Sequence, residues 1–291
     1  MKKITILSAV AGLTILAAAA VQAQAGGALA ALRGYAGAPA QDAPVTKAEV
    51  AGGFTKGYVE PVEPAAPIEY ITIPGGKFTM GTTSIEEGFE DAKPVHEMAI
   101  KTFAMAKTAV TVAQYAECVI NGACTEPDTG GYCNWGKTGR GDHPVNCVDW
   151  NQAQQYAKFK GARLPSEAEF EYAATSGGKN QKYPWGNEKP TSELAVFNTG
   201  ITMPVCSRPK GNTAQGLCDM AGNVYQWVQD KYQDSYEGAP VDGSALEVTG
   251  VNRVMRGGSF YDNDTRNLRA DCRWWGGYSV RYDVVGLRLV R

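Results

Sequence analysis

After residue 178 the chain loses every sustained period. Glycine, proline, asparagine and aromatic side chains crowd this stretch, and its apolar pieces are too short for helices: NVYQWV at 223–228, RVMRGGSF at 253–260 and GLRLVR at 286–291. Such a tract buries its aromatics and satisfies its loop backbone with side chains or ions, since few of its N–H and C=O groups can enter long ladders. Regular helices must then come from earlier residues. Thr111 with Gln114 forms a capping-box pattern ahead of an apolar face of Val112, Tyr115, Ala116, Val119 and Ile120, and Gly122 stops it. Asp149 with Gln152 opens a second helix that Gly161 ends. Ser166 with Glu169 opens a third, EAEFEYAAT, that Gly177 and Gly178 end. Upstream, EYITIPGGKFTMGT alternates on both sides of Gly75 and Gly76, which predicts a hairpin there, and VHEMAIKTFAMAKTAVT predicts a second strand pair. Together these features predict one compact, loop-rich α+β domain with short strands and about three helices.

The first 25 residues place Lys2 and Lys3 before an apolar run and end in small residues, the pattern of a secretory signal peptide cleaved after Ala23 or Ala25. The run is shorter than the roughly 20 apolar residues that span a bilayer, so no permanent membrane anchor is expected. Residues 26–66, rich in Ala, Gly and Pro, read as a disordered linker, and 67–291 as the folded domain. A periplasmic or secreted location follows, where thiols oxidise and stay oxidised. Of the seven cysteines, Cys118 and Cys124, Cys133 and Cys147, and Cys206 and Cys218 can each close a short loop. This pairing is the expectation among several connectivities. Cys272 is left over, as a buried thiol, a partner in a disulfide or a reactive group. Zinc is not expected, because no C-x-x-C pair exists and His96 and His143 stand alone. A net charge of −2 gives no general attraction for nucleic acid. The arginines after residue 252 alternate with Asp262, Asp264, Asp271 and Asp283, a pattern that favours internal ion pairs.

Taken in order, GGKFTMGT, KPVHEM, HPVNCVDWNQAQQYAKFKGARLPSEAEFEYAA, YPWGN, GLCDMAGNVYQWVQD, RVMRGGSF and VGLRLVR resemble the formylglycine-generating enzyme, or sulfatase-modifying factor, family over about residues 68–291. The resemblance implies a C-type-lectin-like fold. Members that make formylglycine use two cysteines shortly after RGGS to hold copper(I) and oxidise a substrate cysteine with oxygen, because soft thiolates suit that ion. Counted from Arg256-Gly257-Gly258-Ser259, those places fall on Asp262 and Asn267. Neither is a thiol, so copper and formylglycine generation by that route are not expected, and no catalytic residue is assigned. The resemblance also implies a calcium site from the Asp219 side chain, the Gly222 and Val224 carbonyls and the Gln226 side chain. Gln226 stands where the family has glutamate.

Other branches of the family differ. Hercynine oxygenases use an iron-binding histidine cluster, for which this chain offers two isolated histidines. A periplasmic branch needed for fluorophore maturation in pyoverdine siderophores lacks the copper cysteines, as here. Variable proteins diversified by retroelements share the RGGS…LRA…GLRL frame and face a ligand with the residues between. Carried over, those residues are Tyr261, Asp262, Asn263, Asp264, Asn267, Cys272, Trp274, Trp275, Tyr278 and Tyr282, a set whose aromatics bring contact area at low entropy cost. The first expectation is an exported binder of a small-molecule or protein ligand through this C-terminal aromatic, Asp and Arg surface. The alternative is a periplasmic oxidative maturation enzyme with a non-copper centre. A recessed pocket near Asp262, Asn267 and Cys272 would favour the enzyme, and an open face the binder.

Overall fold

The computed structural model describes residues 65–291. The expected leader 1–25 and all but the end of the expected linker 26–66 lie outside the described residues.

Strand β1 (Tyr70–Ile73) pairs antiparallel with β4 (Phe103–Ala106), and β2 (Gly76–Met80) pairs antiparallel with β3 (His96–Ile100). The hairpin expected at Gly75 and Gly76 does not form. Ile73 faces Phe103 and Gly76 faces Ile100, so one register runs through both pairs and the glycines kink an arm of a single long ribbon. Pro74 has no N–H to give a ladder. A Cβ on Gly75 would lie 2.5 Å from the Ile100 carbonyl oxygen, and the Gly75 N–H donates to the Thr102 hydroxyl at 3.0 Å. The two strands expected to pair within 95–111 likewise belong to successive segments of one arm.

The three helices form with their caps. α1 (Val112–Ile120), α2 (Trp150–Phe159) and α3 (Glu167–Ala174) open on Thr111, Asp149 and Ser166, each in a reciprocal capping box with the third helical residue. α3 is buried along its whole length although Glu167, Glu169 and Glu171 lie on it. Carboxylates taken out of water need partners, and arginines from three other segments supply them. Arg163 holds Glu169 at 2.6 Å, Arg256 holds Glu171 at 2.6 Å, and Arg273 holds Glu167 at 2.7 Å.

The last third of the chain builds a sheet of order β7-β6-β5-β8 from β5 (Tyr225–Lys231), β6 (Asn252–Arg256), β7 (Arg273–Gly277) and β8 (Val285–Leu287). β5 and β8 run parallel and the other neighbours antiparallel, with an irregularity in β5 between Trp227 and Lys231. Trp227 is fully buried beneath this sheet, and its ring N–H donates to the Val148 carbonyl at 3.0 Å. The three expected disulfides form, and Cys272 is a buried free thiol. No helix among the described residues is long and apolar enough to cross a membrane.

Candidate functional site

The segment 257–272 leaves β6 and returns as β7. Gly257 and Gly258 start it with φ of 103° and 74°, in the region that favours glycine, and a Cβ on Gly258 would sit 2.9 Å from the Asn267 carbonyl oxygen. The loop therefore closes tightly on itself, and Asp262 lies inside it at 1% exposure. Its Oδ2 accepts from the Ser259 N–H at 2.7 Å and the Ser259 hydroxyl at 2.9 Å. Its Oδ1 accepts from Asn267 Nδ2 at 2.7 Å and the Tyr225 hydroxyl at 3.3 Å. The two positions expected, by counting from RGGS, at the places of the copper cysteines thus touch each other, as a carboxylate and an amide. Hard and neutral donors of this kind do not suit copper(I). Cys272, the free thiol of the described residues, is buried; burial pushes its pKa far up, and nearby Arg256 only partly offsets that. It stays a thiol at neutral pH and does not replace the missing pair.

The ten expected ligand-facing residues do not share one face. Asp262 and Cys272 are buried, while Tyr261 and Asn263 are exposed and Asp264 and Asn267 half-buried. Trp274 and Trp275 are neighbours on a strand and point to opposite sides of the sheet. Trp274 packs edge-on against Tyr225, on the Asp262 side, and Trp275 packs on Tyr232. Tyr278 lies past the far end of β7, and the ring of Tyr282 lies over Gly276 and near Trp227. One side chain absent from that set belongs with it. Tyr132, 39% exposed, packs 5.6 Å from Tyr261 and 5.8 Å from Phe260, centroid to centroid. Its place just before Cys133 gave no hint of this long-range contact. Of the expected set, the exposed side chains at this loop are thus Tyr261 and Asn263, with Tyr132 packed on Tyr261 and half-buried Asp264 next in sequence.

Residues expected to bind calcium are next to one another, but the set does not fit that ion. Gln226 donates from Nε2 to the Asp219 carbonyl at 3.0 Å and accepts at Oε1 from Arg288 Nε at 2.6 Å. Arg288 is fully buried and also donates to the carbonyls of Ala106, Lys107 and Cys218. Burial lowers its pKa to about 10, with Asp219 opposing, so it remains a cation at neutral pH. A guanidinium therefore already occupies the oxygen that calcium would need. The Asp219 carboxylate is itself engaged by the Cys206 N–H at 2.9 Å. His96 packs on Tyr236 and His143 bonds the Thr202 hydroxyl at 2.8 Å, and the described residues hold no cluster of three acidic, histidine or cysteine side chains fit for a metal.

A cleft of about 630 Å³ opens elsewhere, along Arg269, Asp271, Glu171 and the segments 81–86 and 178–182. Asp262, Asn267 and Cys272 do not line it.

A family model described as "Sulfatase-modifying factor enzyme 1-like domain" matches residues 55–291. A "Formylglycine-generating enzyme" from Streptomyces coelicolor is 32% identical over 254 residues, covering 67% of this chain and 79% of that one. "Serine/threonine-protein kinase pkn1" from Chlamydia caviae is 36% identical over 225 residues, and the chain spans about a third of its length, 34%. Among solved structures, PvdO from Pseudomonas aeruginosa superposes with a TM-score of 0.66 at 32% identity, over 76% of this chain and 93% of that one. Variable protein 1 of Treponema denticola, at a TM-score of 0.60 and 20% identity over 76% and 94%, shares the fold.

Proposed function

The chain belongs to the sulfatase-modifying factor enzyme 1-like family, and from that premise we propose that it is an exported, copper-free member that binds a small-molecule or protein ligand at the 259–267 loop. The contact between Asp262 and Asn267 carries this reading: the family's catalytic place is filled by a carboxylate and an amide bonded at 2.7 Å. Above it, Tyr132 and Tyr261 offer rigid, half-open rings, and Asn263 and Asp264 offer polar groups, the mixture recognition surfaces use. The three disulfides support a periplasmic or secreted location.

Copper and cross-linking measurements test it. The wild type should hold no stoichiometric copper(I) and consume no oxygen with a thiol peptide, whereas Asp262→Cys with Asn267→Cys should gain one equivalent of copper(I). Stoichiometric copper on the wild type overturns the reading. In the native host, benzoylphenylalanine at position 261 should cross-link a single species and at position 278 should not. Equal yields, or none at 261, would place binding elsewhere.

The oxidative maturation alternative, a periplasmic enzyme with a non-copper centre, draws on one observation. Ser259, Tyr225 and Asn267 converge on the Asp262 carboxylate at the family's catalytic position. Stoichiometric iron in protein purified without chelator, with oxygen uptake lost in Asp262→Asn, would favour it over binding.

A further inference from the structure

The cleft of about 630 Å³ lies apart from the loop just discussed, since none of residues 257–267 lines it. Its floor is the buried Glu171 of α3 and Thr175 at the C-terminal end of that helix, together with Arg269 and Asp271. One wall is the segment 81–86 after β2, and the other is 178–182 with Asn187, after α3. Both walls are tied to the floor. The Gly81 N–H donates to Glu171 at 2.8 Å, the Ala270 N–H to the Lys182 carbonyl at 2.8 Å, and the Lys182 N–H to Asn187 at 2.9 Å. Arg269 is locked against Asp271 by two bonds of 2.8 and 2.6 Å and stacks over Phe89. The cavity is thus shaped before a ligand arrives, which lowers the ordering cost of binding.

The charges divide between the walls. Lys179 and Lys182 are exposed on one, and neither has an ion pair with a described residue. Glu86 stands on the other, with its carboxylate only at 3.5 Å from Arg269. Between them lie hydroxyl and amide groups, among them Thr83, Ser84, Asn180 and Gln181. An apolar ligand would leave these groups dry and unpaired. A polyanion would meet Glu86, since Asp271 is already paired with Arg269, and a polycation would meet the two lysines. A ligand with one charge of each sign at opposite ends meets neither penalty, and a backbone between its charges matches the hydroxyls and amides. The volume lies within the roughly 300–1,000 Å³ of small-ligand sites, enough for a di- to tetrapeptide.

We propose that this cleft is a second binding site, for a short zwitterionic peptide whose carboxylate lies on Lys179 and Lys182 and whose ammonium lies on Glu86. Isothermal titration of the full-length protein tests it with triglycine and trialanine as probes. Acetylated and amidated triglycine, maltotriose and tripolyphosphate serve as controls. At least one free tripeptide should bind saturably at one site, and end-blocked triglycine about tenfold or more weaker. Lys179→Gln with Lys182→Gln, and separately Glu86→Gln, should each weaken the free peptide about tenfold. These side chains are at the rim, so thermal melting should stay unchanged and confirm that the fold is intact. Tyr261→Ala should leave tripeptide binding untouched, which separates this site from the 259–267 loop. No saturable tripeptide binding, equal binding of the blocked peptide, indifference to both rim variants, or tighter binding of maltotriose or tripolyphosphate overturns the proposal.

Discussion

Glu167 and Asp262 are both sealed from water, at 2% and 1% exposure, and they are held in opposite ways. Glu167 draws its partners from far along the chain. Arg256 lies 89 residues away and Arg273 lies 106 away, and together they tie α3 to β6 and β7. Burial would raise its carboxyl, but Arg273 and Arg256 hold it below the ordinary value. Asp262 is bonded mainly within its own loop, by Ser259 three residues before it and Asn267 five residues after. The first cluster fixes the fold through ion pairs across the core. The second fixes a loop that can be altered without undoing the sheet beneath it. A scaffold with both can keep its architecture while the chemistry at its surface changes.

The largest effect should come from cutting the long-range cluster. Arg256→Met leaves Glu167 and Glu171 buried against one cation fewer, a loss of about 3–5 kcal/mol. Chemical denaturation should show it, and a change below about 1 kcal/mol would mean that these charges do not hold α3.

Next in size is a pH effect beside the same cluster. Burial, followed by the Glu167 charge, pushes the Asp230 carboxyl up to about 7, although the Leu246 and Glu167 N–H groups donate to it. An unfolded aspartate titrates near about 4. The folded state therefore binds the proton more tightly, and this contribution to stability is lost as pH rises from about 4 through about 7. Asp230→Asn cannot titrate, so the wild type should lose ground to it across this window, by up to about 1.4 kcal/mol per pH unit. Parallel stability curves for the two proteins from pH 5 to 8 would show that Asp230 is not the source.

Cutting the local cluster should cost less. Asp262→Asn turns an amide toward the two Ser259 donors and loses about 1–2 kcal/mol. Hydrogen exchange should quicken in 259–267 but not in β5 or β6. Exchange rising across the sheet would erase the distinction between a fold-holding and a loop-holding carboxylate.

How much of this was readable in the sequence follows from the same distinction between near and far. The capping boxes at Thr111, Asp149 and Ser166 and the short-loop disulfides are local, and each formed as the spacing indicates. The count from RGGS picked out Asp262 and Asn267 together, and the two side chains are in contact. Gly75 and Gly76 misled, because a kink inside one arm and a turn between two arms use the same residues; only the partner strand at 96–106 distinguishes them. Trp274 and Trp275 looked like one surface until strand alternation separated them. Tyr132 had no local signal, since its contacts come from a loop more than a hundred residues later. Gln226 was expected as an ion ligand from the resemblance, but Arg288 reaches it from 62 residues away.

The smallest effect on stability should be the most telling about function. Tyr261 is 40% exposed and packs on Tyr132 and Phe260, so Tyr261→Ala loses ring contacts at the rim only and should cost about 1 kcal/mol or less. A ring kept half in solvent contributes little to the core, and its rigid contact area is of most use to a partner. Unchanged melting together with loss of the cross-link or ligand signal at this loop would separate the binding surface from the scaffold that carries it. A melting loss as large as that of Asp262→Asn would instead make Tyr261 part of the loop's own packing, and the patch with Tyr132 would be structure before it is a binding face.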